Sequence, residues 1–226
     1  MGEIVEFPSN GDTVSGYLAT PESGTGIPVV VIQEWWGLVP HIKDVCERFA
    51  AEGFVALAPD LYHGQSTTEP DEAGKLLMAL NLDRAGRDMS GAVDKVSEVT
   101  GQDRVGVTGF CMGGGLAMIL GAQRPDKVKA VVPWYGFFAW PDSEPDWAPM
   151  DASLLGFMAE KDTYFTPEQA GQLEKKLQDM GKDVRMKVVP GVDHAFFNDT
   201  RPEVHDAEQS QACWQEMLDF FRQKLA

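Results

Sequence analysis

What most constrains this chain is a repeated pairing of a short, wholly apolar run with an amphipathic stretch. IPVVVIQE (27–34) is a continuous β-branched run, and HIKDVCERFAAEG (41–53) then carries apolar residues at helical spacing and a closing glycine. FVALAPDL (54–61), DRVGVTGFC (103–111), KVKAVVPWYG (127–136), ASLLGFMAEKD (152–162) and VRMKVVPGV (184–192) repeat the strand signature. Two polar helical stretches fill residues 70–99, and the small-residue GGGLAMILGAQRP follows the strand at 103–111. TPEQAGQLEKKLQDMG (166–181) opens on a capping Thr and a Pro, and 203–225 is a last amphipathic helix. Strands apolar on both faces, alternating with helices, require a mostly parallel sheet covered on both sides. EIVEFP and VSGYLATP across SNGDT read instead as an antiparallel edge hairpin. The expectation is a single α/β domain over 1–226 built on about eight strands.

In such sheets the chemistry gathers beyond the carboxyl ends of the strands. That narrows the search to QEWWG, PDLYHG, GFCMGG, PWYG, AEKD and GVDHAFF. Composition supplies exclusions. A chain 43% hydrophobic and 10% aromatic is not a disordered acidic tail. No run approaches the roughly 18 apolar residues of a membrane span. The net charge of −16 repels phosphate backbones, so nucleic acid is not an expected partner. MGEIVEFPSNGD shows no secretory signal, and Cys46, Cys111 and Cys213 form neither a CxxC pair nor a disulfide framework. The expectation is a cytoplasmic protein with reduced thiols and no metal site, as a monomer or small homo-oligomer.

Gly109-Phe110-Cys111-Met112-Gly113 is a G-x-C-x-G sequence at a strand-to-helix transition, the context of a nucleophile elbow. Glycines there let the helix approach the strand, and the helix end favours a thiolate. The bland alternative is a small-residue loop with a buried thiol; no G-x-G-x-x-G or Gly-Lys-Ser/Thr supports a nucleotide loop. A nucleophile needs a base and the base an orienter. Asp162 and His194 both follow strands and come after the cysteine, the chain order of α/β hydrolases. Of the other histidines, His41 and His205 fall on helical stretches as solvated residues, and His63 reads as a turn residue. Asp60 suits a structural role. An oxyanion would meet the backbone N–H of Met112 and that of Trp35, in the loop after the strand at 27–34. Glu34, beside it, reads equally as a salt-bridged strand-end residue or as a proton carrier. Cys46 and Cys213 lie inside amphipathic helices as buried structural thiols. Trp35, Trp36, Trp134, Tyr135, Phe137, Phe138 and Trp140 gather at two strand ends and offer an aromatic-walled pocket.

With QEWWG, APDLYHG, GFCMGGG, AEKD and DHAFF in this order, the sequence resembles the dienelactone hydrolase family over nearly its whole length. The resemblance implies an α/β-hydrolase fold and a Cys-His-Asp triad of Cys111, His194 and Asp162. It also implies no cofactor and a small ester or lactone substrate. It matches Glu34 to a glutamate that helps deprotonate the thiol when substrate binds. The substrate-contacting set is then Trp36, Tyr135, Phe196, Asn198 and Arg201. One departure stands out. In the best-known members an arginine four residues after the triad histidine grips the substrate carboxylate and pairs with the resting glutamate. Here that place is Asn198, and the nearest arginine is Arg201. A broad-specificity carboxylesterase on the same triad, and a non-catalytic binding protein on a hydrolase scaffold, are the alternatives.

Overall fold

Val29, Val30, Val31 and Ile32 are wholly shielded from solvent, which only a strand covered on both faces allows. They belong to β3 (Ile27–Ile32) in the computed structural model, which describes residues 2–9 and 11–226. β1 (Glu3–Ser9) and β2 (Asp12–Ala19) form the expected antiparallel edge hairpin; Asn10, in its SNGDT turn, lies outside the described residues. β4 (Phe54–Pro59), β5 (Val105–Phe110), β6 (Val128–Trp134), β7 (Ser153–Ala159) and β8 (Val184–Val189) complete an eight-stranded sheet of order β1-β2-β4-β3-β5-β6-β7-β8. β2 pairs antiparallel with β4, and from there on every pairing is parallel.

Helices cover both faces. α1 (Pro40–Ala51) and α6 (Ala207–Leu225) bury Phe49, Cys46, Cys213, Trp214 and Phe221 in one core. α3 (Leu82–Thr100), α4 (Met112–Gln123) and α5 (Pro167–Asp179) bury Met89, Val93, Leu116 and Leu177 in the other. α2 (Pro70–Ala79) lies at the surface with only Ala73 buried. Among the described residues no helix is long and apolar enough to cross a membrane.

The apolar runs overshoot the strands. Gln33-Glu34, Asp60-Leu61 and Glu160-Lys161-Asp162 lie beyond β3, β4 and β7, in loops at the carboxyl edge. These loops are tied down from within. Gln33 Oε1 accepts from Leu61 N–H at 3.2 Å, and Asp60 accepts from Tyr62 N–H at 3.1 Å and Gly64 N–H at 2.6 Å. Thr67 N–H donates to Trp36 C=O at 3.0 Å, stitching the loop after β4 to the loop after β3. α6 begins at Ala207, not 203, because Asp206 caps it by accepting from Gln209 N–H at 2.9 Å. His205 therefore sits ahead of that helix.

Candidate active site

Cys111 stands between β5 and α4 with φ 58° and ψ −123°, a left-handed conformation that costs a residue with a side chain. The turn holds because the chain on both sides is packed backbone against backbone. A Cβ on Gly109 would lie 2.1 Å from Gly113 C=O, and one on Gly113 would lie 2.3 Å from Gln33 C=O. Cys111 N–H donates to Trp134 C=O at 3.1 Å, tying the elbow to β6. Gly109→Ala should therefore destabilise by on the order of 3 kcal/mol, roughly 6–12 °C in Tm. A melt that falls by less than about 2 °C would show that the elbow can relax around a methyl group.

The acid and base of the sequence reading meet. His194 Nδ1 is 2.7 Å from Asp162 Oδ2, and Asp162 Oδ1 accepts from Tyr164 N–H at 2.8 Å and Phe165 N–H at 3.3 Å. Asp162 is buried, so its geometry is set by those three partners. Ala195 follows His194 at φ 67° and turns the chain sharply after the imidazole. Cys111, His194, Glu34, Trp35, Trp36 and Arg201 all line one cavity of about 450 Å³. A larger groove of about 830 Å³ runs along α3 and α4 and contains none of the expected site residues.

Glu34 points inward. It is 1% exposed and accepts a 2.8 Å hydrogen bond at Oε2 from Asn198 Nδ2. Burial raises its carboxyl above the usual range; His41, the Asn198 amide, His194 and Arg201 work in the opposite direction. Burial also pushes the Cys111 thiol up, and the negative charge of Glu34 pushes it further, while the Met112 N–H lowers it. The raising influences outweigh the Met112 N–H at the helix end, so the thiol is held above the ordinary cysteine range. Among the described residues no hydrogen bond joins Cys111 to His194. The other two thiols lie in the core as expected, with Cys213 pushed up to about 11 by burial.

Three expected substrate contacts lie behind the wall, not in it. Tyr135 and Phe196 are fully buried, with Phe196 packed 5.9 Å from Trp134 and 5.6 Å from Tyr135 between ring centroids. The turn at Ala195 sends Phe196 into the core and leaves Asn198 beneath Glu34. Of the aromatic set, Trp35, Trp36 and Phe137 line the cavity; Trp134 is core, Phe138 packs on Trp147, and Trp140 donates to Leu77 C=O at 3.2 Å. His41 is also not a solvated helix residue: it is buried beside Asp199. His63 is a turn residue at φ 52°, with Nε2 3.0 Å from Asp88 Oδ2.

Tyr164 and Lys161 also line the cavity, though neither was among the expected site residues. Tyr164 packs edge-on to His194 at 4.9 Å and stacks on Phe137 at 5.6 Å. Lys161, also lining the cavity, lies 3.9 Å from Asp193. Only their nearness to Asp162 and His194 in the chain could have pointed to them. No group of His, Cys, Asp and Glu among the described residues is arranged to hold a metal ion.

A profile of the "Dienelactone hydrolase family" matches residues 14–225. "Protein usf" of Aquifex pyrophilus is 40% identical over 100% of both chains. An Aquifex aeolicus protein provisionally named a carboxymethylenebutenolidase is 38% identical, again over 100% of both. Among solved structures, a provisional dienelactone hydrolase from Klebsiella pneumoniae superposes with a TM-score of 0.89 at 29% identity. That match covers 99% of this chain and 98% of the other.

Proposed function

The chain belongs to the dienelactone hydrolase family, a family of ester-bond hydrolases, and from that premise we propose that it cleaves esters or lactones through an acyl-enzyme on Cys111. The observation that carries this reading is the elbow thiol sharing one cavity with an imidazole held 2.7 Å from a buried carboxylate.

The chemistry follows from the charges. At rest Glu34 and burial keep the sulfur protonated. When the substrate carbonyl enters, Glu34 accepts the thiol proton, and the thiolate attacks the carbonyl carbon. The C=O electron pair moves onto oxygen, where the N–H groups of Met112 and Trp35 meet it. Trp35 N–H fits that task, since no backbone acceptor among the described residues takes it. Collapse of the tetrahedral species breaks the C–O bond. The proton passes from Glu34 to His194, whose charge Asp162 stabilises, and from His194 to the departing oxygen. Water then attacks the thioester, giving a proton to His194; the carboxylic acid leaves, and the departing thiolate takes that proton from His194 to re-form the thiol. In a lactone the leaving oxygen stays tethered, so one ring-opened product departs.

A broad-specificity esterase on the same residues is the second reading. The observation favouring it is Asn198, which is spent on Glu34 where the best-known members carry a substrate-gripping arginine. Hydrolysis of cis-dienelactone, trans-dienelactone, p-nitrophenyl acetate and p-nitrophenyl butyrate decides between them. Acid-quenched reactions with the p-nitrophenyl esters are expected to leave the acyl group on the peptide containing Cys111. Turnover of the dienelactones at least tenfold above the esters supports the specific reading, and the reverse supports the esterase. Turnover with no acyl adduct, in enzyme still active after Cys111 is alkylated, would overturn the thiol mechanism.

A further inference from the structure

The imidazole of the site stands among aromatic rings. His194 meets Tyr164 edge-on at 4.9 Å, Tyr135 at 5.0 Å and Phe137 at 6.0 Å between ring centroids. Tyr135 is fully buried, whereas Tyr164 and Phe137 line the cavity and stack on each other at 5.6 Å and 22°. Tyr164 is 64% exposed. Its backbone is nonetheless tied to the triad acid, because its N–H donates to Asp162 Oδ1 at 2.8 Å. A ring that lines a reactive cavity with so much of its surface free offers that surface to a ligand.

The direction of proton transfer says which half of a substrate reaches this pair of rings. His194 Nδ1 is taken by Asp162 at 2.7 Å, so Nε2 is the nitrogen that passes a proton to the departing oxygen. The carbonyl oxygen is directed elsewhere, to the N–H groups of Met112 at the start of α4 and Trp35 in the loop after β3. The group carried by the departing oxygen therefore lies beside the imidazole, where the cavity-lining rings are Tyr164 and Phe137. Trp35 and Trp36, paired at 4.8 Å, belong to the oxyanion loop. Charge narrows the class further. The lysine and arginine that line the cavity each stand beside an acid, Lys161 at 3.9 Å from Asp193 and Arg201 at 2.9 Å from Glu203. The stacked pair is thus open to an uncharged planar group.

We propose that Tyr164 and Phe137 form the subsite for the alcohol half of the substrate, and that this half carries a neutral aromatic ring, as in a benzyl ester. Tyr164 is then a specificity-determining residue. The proposal rests on the acyl-enzyme reading above, in which His194 protonates the departing oxygen. A flat ring extends an existing offset stack and gains its quadrupolar attraction as well as its buried area; a puckered saturated ring of similar size gains the area alone.

Benzyl acetate and cyclohexylmethyl acetate test this, because their alcohols differ in planarity far more than in size or leaving ability. The readout is the ratio of their kcat/KM values, in which a general loss of triad activity cancels. Wild type is expected to favour benzyl acetate about fivefold. Tyr164→Phe should keep that ratio. Tyr164→Ala should bring it within about twofold of unity, chiefly by raising KM for benzyl acetate. Phe137→Leu, which removes the other ring, should lower the ratio as well and serves if Tyr164→Ala does not fold. Methyl phenylacetate and methyl cyclohexylacetate place the same rings on the acyl half, and Tyr164→Ala should leave their ratio within about twofold of the wild-type value. A wild-type acetate ratio near one, a ratio unmoved by the folded variants, or an equal change in the acyl pair would overturn the proposal while leaving the thiol mechanism standing. Hydrolysis of none of these esters and of neither p-nitrophenyl ester, or hydrolysis that survives alkylation of Cys111, would overturn the acyl-enzyme reading itself, and the proposal would fall with it.

Discussion

Cys111→Ala is expected to abolish ester hydrolysis, by on the order of 10³-fold or more, while leaving the fold intact. Cys111 holds its φ of 58° because the backbone on either side is packed in place, so removing a sulfur leaves that geometry alone. No other thiol can substitute: Cys46 and Cys213 are fully buried on the face of the sheet carrying α1 and α6. Residual activity would come only from the oxyanion donors and from substrate binding. The measurement is kcat/KM on p-nitrophenyl acetate, with a circular dichroism melt as control. Near-wild-type turnover in this variant, with loss in Cys46→Ala or Cys213→Ala, would reassign the nucleophile.

Asp162→Asn is expected to cost roughly 10³–10⁴-fold in kcat, and the hydrogen bonds around it say why. Oδ1 is occupied by the N–H groups of Tyr164 and Phe165, leaving Oδ2 for His194 Nδ1. An asparagine must keep its oxygen on those N–H donors, so its NH₂ would face the imidazole. Nδ1 then becomes the acceptor and Nε2 carries the proton, the tautomer that cannot take a proton from water or thiol. The thermal midpoint should barely change, because the loop keeps its oxygen acceptor. His194→Ala should be equally impaired, and either change added to Cys111→Ala should cost little more, since the three act as a unit. An Asp162→Asn enzyme within about tenfold of the parent would show that the imidazole is oriented by something else.

The site was legible where local chemistry alone decides it. A cysteine between two glycines at a strand-to-helix junction has few other reasons to exist, and the packing around Gly109 and Gly113 supplies the steric one. Asp162 and His194 stood out because each follows an apolar run that must end at the carboxyl edge of the sheet. Glu34 was ambiguous in sequence, since a carboxylate at a strand end is ordinary; its inward pose depends on an amide 164 positions away in the chain.

What failed was direction. Phe196 and Asn198 sit beside His194 in the chain, yet one left-handed residue, Ala195, turns both away from the cavity. His41 looked like a solvated residue at a helix start, because periodicity describes a helix against its own sheet and not the loop that later covers its first turn. Tyr164, 64% exposed and packed on His194, carries no motif at all.

The sequence by itself determined the parallel sheet, the helices on both faces, the edge hairpin and the identity of the elbow, because apolar periodicity and glycine sterics act over a few residues. Only the tertiary structure decided that Glu34 shares the cavity of the thiol, that Asn198 stands behind it, and which aromatics form the wall. Those outcomes rest on charges and hydrogen bonds between segments far apart in the chain, brought together at the end of the sheet, where burial makes each unpaired group costly enough to select one arrangement.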